Sequence, residues 1–136
     1  MLSSDEEPLA ALMRLSMGAW AFKTFAVAVE IGLFDHLATR PGATAEMVAV
    51  GVGVTERGAE ALLTACAALG LVQRGDAGWT VTRTAFRHLM RGGERYVGDW
   101  VRYVDRQYGA WEGLEESLRT GKLLAWDPAP EMTSIF

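Results

Sequence analysis

Apolar residues open the chain at helical spacing. Leu9, Leu12, Met13, Met17 and Trp20 follow one another at steps of three and four, which makes one continuous stripe. Phe22, Phe25, Val27 and Val29 place apolar surface on other faces, and only Arg14, Lys23 and Glu30 carry charge between Pro8 and Phe34. Asp5, Glu6 and Glu7 stand just before Pro8. Carboxylates suit the positive end of a helix dipole, and proline suits its first turn. The pattern predicts a helical segment over residues 8–34, with Gly18 bending or splitting it. A helix that is apolar all round needs cover all round. A second copy of the chain is the simplest cover; a buried central helix of a monomer also fits the pattern.

From Leu33 the pattern shortens. Leu33, Phe34 and Leu37 lead to the stop Arg40-Pro41-Gly42. Thr44 can cap a short helix with Glu46 in its first turn, and Gly51 to Val54 form a turn. Thr55 can cap the next helix, which runs to Leu69, with Gly70 beyond it and Leu62, Leu63, Cys66 and Leu69 facing inward. Leu71 to Thr82 reads as two short extended runs around Gly75-Asp76-Ala77-Gly78, a hairpin signal. A short helix over Thr84–Met90 follows. Three helices and a hairpin make the winged-helix plan.

Val97, Val101, Val104, Tyr108, Trp111, Leu114 and Leu118 then recur at three and four, which predicts a long amphipathic helix, or two in line with a bend at Gly109. Ala125 to Pro130 reads as an extended linker. The expected organisation is N-terminal dimerisation helices over 1–34, a winged-helix core over 35–90, the amphipathic helix over 91–124, and a linker over 125–136 towards a further domain. The fold class is mainly α, with a small β-hairpin wing.

Composition narrows the function. Half of the 136 residues are apolar and the net charge is −4. Residues 35–90 carry five arginines and five acids. The second helix of the helix-turn-helix opens with Glu56, Arg57, Gly58, Ala59 and Glu60. A helix that reads DNA offers basic or amide side chains there, and phosphate contacts need a positive footprint. The module therefore reads as one used for packing, with no nucleic-acid partner. One cysteine, an acidic N-terminus and the lack of a ~20-residue apolar span point to a cytoplasmic chain with no membrane partner. His36 and His88 lie in separate helices among apolar neighbours, and one cysteine with two histidines offers no metal-ligand spacing. No P-loop, nucleophile elbow or dinucleotide fingerprint is present, so no catalytic residue is assigned.

Aromatic residues gather late in the chain. Tyr108 and Trp111 lie on the apolar stripe and are expected in the core; Trp100 and Tyr103 lie nearer its edge, where they could line a pocket for a flat ligand.

Several stretches resemble the N-terminal domain of small-molecule O-methyltransferases that use S-adenosylmethionine. They are "VAVEIGLFDHLA" from Val27, "TAEMVA", "LLTACAALGLV" from Leu62, "GWTVTRTAFRHLM" from Gly78 and "YGAWEGLEESLRTGK" from Tyr108. The resemblance covers nearly the whole chain in order. It implies a helical homodimerisation domain with a winged-helix core, which forms part of the acceptor pocket of a larger enzyme. Trp100, Tyr103, Gln107 and Trp111 would border that pocket, with Met17 and Trp20 from the partner chain. The acceptor would be a small aromatic or polyketide-type natural product. The family's Rossmann-like catalytic domain and its cofactor loop have no match here, so this chain is expected to bind no S-adenosylmethionine and to catalyse nothing alone. A ligand-responsive winged-helix regulator and a free-standing dimeric accessory protein are the other two readings.

Overall fold

The computed structural model describes residues 7–122. Helix α1, Pro8–Glu30, is continuous and leads into α2, Leu33–Thr39. The break falls at Ile31–Gly32, where Gly32 takes a left-handed φ of 77°, and not at Gly18. Gly18 meets nothing that would push the backbone aside, so its weak helix propensity is tolerated. Among the described residues no single helix is long and apolar enough to cross a membrane.

Helices α3, Ala45–Val52, and α4, Glu56–Ala68, form the helix-turn-helix. Both start on a threonine. The Met47 N–H donates to the Thr44 hydroxyl at 3.2 Å, and the Gly58 N–H to that of Thr55 at 3.0 Å. Each cap satisfies one of the free N–H groups of a first turn. Strands β1, Val72–Gly75, and β2, Gly78–Val81, pair antiparallel with Val72 opposite Val81. Helix α5, Arg83–Leu89, is capped by Thr82 and starts one residue before the position expected from the pattern. The long C-terminal helix is three pieces: α6, Gly98–Arg106, a 3-10 helix over Tyr108–Gly113, and α7, Leu114–Thr120. The expected bend at Gly109 lies within the middle piece. The proposed linker over 125–136 lies outside the described residues.

The core sits between α1's C-terminal half, α2, α3, α4 and the hairpin. Phe34, Leu33, Leu37, Leu63, Val48 and Cys66 are its largest fully buried side chains. Leu62 is only half-buried and Leu69 is exposed, so the buried face of α4 is narrower than the four residues expected for it. Arg91 joins the far end of this core to α1. Its guanidinium donates to the last carbonyls of α1, Val29 at 3.4 Å and Glu30 at 3.1 Å, while its backbone N–H donates to Asp35 at 3.0 Å. A cation there complements the negative end of the helix.

Burial pushes the Cys66 thiol up to about 11, because an apolar surround disfavours the thiolate. Native chain is therefore expected to resist iodoacetamide at mildly alkaline pH and to react at once when denatured. Mass spectrometry after timed alkylation checks this; rapid labelling of the native chain would contradict the packing around α4.

Candidate functional site: the two faces of the first helix

Helix α1 presents two different surfaces. At about 100° per residue, Ala11, Gly18, Phe22, Phe25, Ala26 and Val29 share one side, and Leu9, Met13, Trp20 and Val27 share the opposite one. The first side meets the rest of the chain: Ala11, Ala26 and Val29 are buried, and Phe22 and Phe25 are half-buried. The second is open. Trp20 is 71% exposed, Leu9 64% and Met13 54%, and Leu12 and Met17 flank them in the open. No charge interrupts the stripe from Leu9 to Trp20. A contiguous apolar patch of this kind marks an interaction surface.

On its inner side α1 packs against α6, and two ion pairs fasten the contact. Lys23 Nζ donates to both oxygens of Asp105, at 2.7 and 3.0 Å. Arg102 donates to Glu30 at 2.8 Å, to Asp99 at 2.9 Å and to the Tyr96 hydroxyl at 3.0 Å. Burial alone would lower the Arg102 guanidinium; the hydrogen bonds to Glu30 and Tyr96 outweigh it and hold the group above its ordinary value. These pairs join residues that stand far apart in the sequence, and helical spacing alone carries no signal for them.

Between the two helices lies an open groove of about 630 Å³. Gly18, Ala19 and Phe22 form one wall; Val104, Tyr108, Trp111 and Glu112 form the other. The Phe22 and Tyr108 rings are stacked, 6.2 Å between centroids and 4° from parallel. The small residues at 18 and 19 leave the slot open, and the aromatics give it flat apolar faces. A larger depression of about 860 Å³ runs along α4, but Ala45, Ala61, Ala65 and Ala68 line it with no aromatic among them. It is a shallow helix flank.

The expected site residues separate. Trp111 lines the groove. Tyr103 and Gln107 are buried, at 2% and 8% exposure, and do not line it. Trp100 is 53% exposed and packs on Tyr103 at 5.6 Å, away from the groove lining. Met17 and Trp20 also lie outside it, on the exposed flank and back of α1. The order expected for the aromatics is inverted: Tyr103 is core, while Tyr108 and Trp111 are open. The cause is the 3-10 helix from Tyr108, whose three residues per turn rotate these two rings off the α-helical stripe. Gly18, Ala19, Phe22, Val104, Tyr108 and Glu112 complete the groove, and the sequence pattern assigns none of them to a pocket. The spacing of Tyr108 and Trp111 held the signal, but as a core stripe.

Elsewhere the chemistry is sparse. Among the described residues no cluster of His, Cys, Asp and Glu could hold a metal. The His36 ring lies against the Gly51 backbone, where a Cβ would not fit, and its Nε2 is buried without a hydrogen-bond partner among the described residues. The His88 Nδ1 is 3.2 Å from the Arg95 carbonyl. The wing's arginine, Arg74, lies 3.8 Å from Glu60 of α4 and over the Trp79 ring at 5.5 Å. It serves the hairpin's own packing. The described strands form one two-stranded antiparallel sheet, and neither runs through a glycine-rich loop into a helix.

Comparison with known proteins agrees with this geometry. The family model for the O-methyltransferase dimerisation domain matches residues 13–91. A 3-hydroxy-5-methyl-1-naphthoate 3-O-methyltransferase from Streptomyces sahachiroi is 38% identical over 110 residues, covering 80% of this chain and 32% of that protein. The tetracenomycin polyketide synthesis 8-O-methyl transferase TcmO from Streptomyces glaucescens is 35% identical over 113 residues, covering 82% of this chain and 33% of the relative. The crystal structure of human N-acetylserotonin methyltransferase in complex with SAM superposes with a TM-score of 0.77 at 28% identity, over 88% of this chain and 37% of that one. The chain thus spans about a third of the length of the curated relatives it matches. With the matched segment running from the exposed half of α1 to the arginine that ties its far end, the chain belongs to the O-methyltransferase dimerisation domain family.

Proposed function

We propose that the chain is the dimerisation and acceptor-side domain of an S-adenosylmethionine-dependent O-methyltransferase acting on a small aromatic or polyketide-type compound. The two-sided character of α1 carries the reading. Its outer stripe is apolar and open, as a homodimer seam requires, and its inner side forms one wall of an aromatic groove. Residues 1–34 supply the seam, 35–90 the winged-helix scaffold, and 91–124 the groove's second wall. Met17 and Trp20 reach an acceptor only from the partner chain, because their own chain turns them away from the groove. Tyr103 and Gln107 act from beneath the wall, and Trp111 meets the acceptor directly. Cofactor binding and methyl transfer belong to a catalytic domain outside residues 7–122.

Light scattering at low micromolar concentration is expected to return twice the chain mass of 14.8 kDa. Calorimetric titration with S-adenosylmethionine is expected to show no saturable heat. A stable folded monomer, or micromolar cofactor binding, would overturn the assignment.

A further inference from the structure

The groove has one charged group in its lining, and that group has no partner among the described residues. Phe22, Tyr108 and Trp111 give it flat apolar faces, and Gly18 and Ala19 leave the slot clear. Glu112, the residue after Trp111 in the same 3-10 helix, joins them. Its carboxylate makes no hydrogen bond or ion pair with any described residue. No cation lines the groove to offset it. Lys23, next to Phe22 on α1, is already held by both oxygens of Asp105.

We infer that Glu112 sets the charge preference of the groove: it admits flat aromatic molecules that bring a hydroxyl or a cation to this rim, and turns away those that bring a carboxylate. This rests on the reading of the groove as an acceptor wall. A carboxylate is an acceptor only, so a phenolic O–H or an ammonium completes it. A second carboxylate beside it meets repulsion with no neighbouring donor to relieve it. Two unit charges a few ångströms apart at a partly exposed site interact by enough to change a dissociation constant about tenfold. Salt weakens such an effect, because the groove is open to solvent.

The test uses the 136-residue chain and three probes of one shape: 2-naphthol, 2-naphthylmethylamine as its ammonium, and 2-naphthoate. The reporter is the assigned indole N–H resonance of Trp111, followed by NMR titration. The neutral and cationic probes are expected to bind about tenfold more tightly than the naphthoate at low salt. Glu112→Gln is expected to close that gap, chiefly by tightening the naphthoate. Glu115→Gln is the control, since Glu115 pairs with Arg119 at 2.8 Å outside the groove, and it is expected to leave the gap intact. Equal binding of the three probes, or a gap that survives Glu112→Gln, overturns the charge preference and leaves the groove as an aromatic site. If no probe moves the Trp111 signal, the acceptor-wall reading falls, and the inference with it.

Discussion

Replacing Trp20 with glutamate is expected to raise the dimer dissociation constant by more than about 100-fold, the largest binding effect of any single change in the chain. Trp20 stands 71% exposed at the middle of the outer stripe, with Met13 two turns before it and Val27 two turns after. Stable dimers of the obligate kind bury upwards of ~2,000 Å². Their affinity concentrates in central aromatic anchors, where truncation alone costs about 2–4 kcal/mol. Glutamate also leaves a carboxylate in an apolar seam, which adds desolvation. The winged-helix core does not depend on this seam: Leu33, Phe34, Leu37, Leu63 and Cys66 are enclosed within one chain. Dissociated Trp20→Glu chains are therefore expected to keep slow hydrogen exchange in α2 and α4 and to lose it over residues 8–20. Light scattering and hydrogen exchange measured together check both halves. A variant that remains dimeric at wild-type concentrations would move the seam off α1.

The sequence carried the short-range devices well. Thr44 and Thr55 cap the helices expected of them, and the hairpin closes at Asp76-Ala77 as its glycines suggest. Such features depend on two to four neighbouring residues, and their physics is local. Apolar surplus on α1 was equally legible, because an excess of apolar over charged positions shows in the pattern alone. Less legible was the difference between its two sides. Phe22 and Trp20 are both large and aromatic, yet one faces α6 and the other faces out. Periodicity gives the angle between them and not the direction of the rest of the chain.

The inversion of the late aromatics has a different origin. A perfect three-four spacing through Val104, Tyr108 and Trp111 holds only for an unbroken α-helix. The chain tightens after Gln107, and the stripe no longer maps onto one face. Gly109 and Gly113 sit inside this piece and are the one local cue. The ion pairs that fix the groove, Lys23 with Asp105 and Arg102 with Glu30, are tertiary and depend on how α1 and α6 meet. Exposed pairs of this sort add little stability each. Their contribution is the relative placement of two helices.

Gly78→Ala is expected to cost about 3 kcal/mol or more and to lower the melting temperature by about 10 °C. Gly78 opens β2 with φ +128°, a conformation that side chains rarely adopt. An added Cβ would fall 2.7 Å from the Ala43 carbonyl oxygen and closer still to that of Gly42. Both obstacles are backbone, so neither can swing aside as a side chain would. They are also held in place: the Gly42 N–H donates to the Trp79 carbonyl at 2.9 Å, and the Trp79 N–H donates to the Ala43 carbonyl at 2.9 Å. This bridge joins the loop before α3 to the wing, beside the buried Trp79. Relief of the clash must break one or both bonds, at about 1 kcal/mol each, in addition to the backbone strain. The loop leads directly into the Thr44 cap, so the disturbance passes from the wing to the start of α3. Gly75→Ala is the matched control. It sits opposite in the same hairpin, and its Cβ would meet only the Gly78 carbonyl oxygen, at an ordinary 3.9 Å. Calorimetric melting of the two variants is expected to separate them by most of the predicted fall, with Gly75→Ala close to the parent chain. Equal melting temperatures would mean that the wing is not anchored to the helix-turn-helix through Gly42 and Ala43.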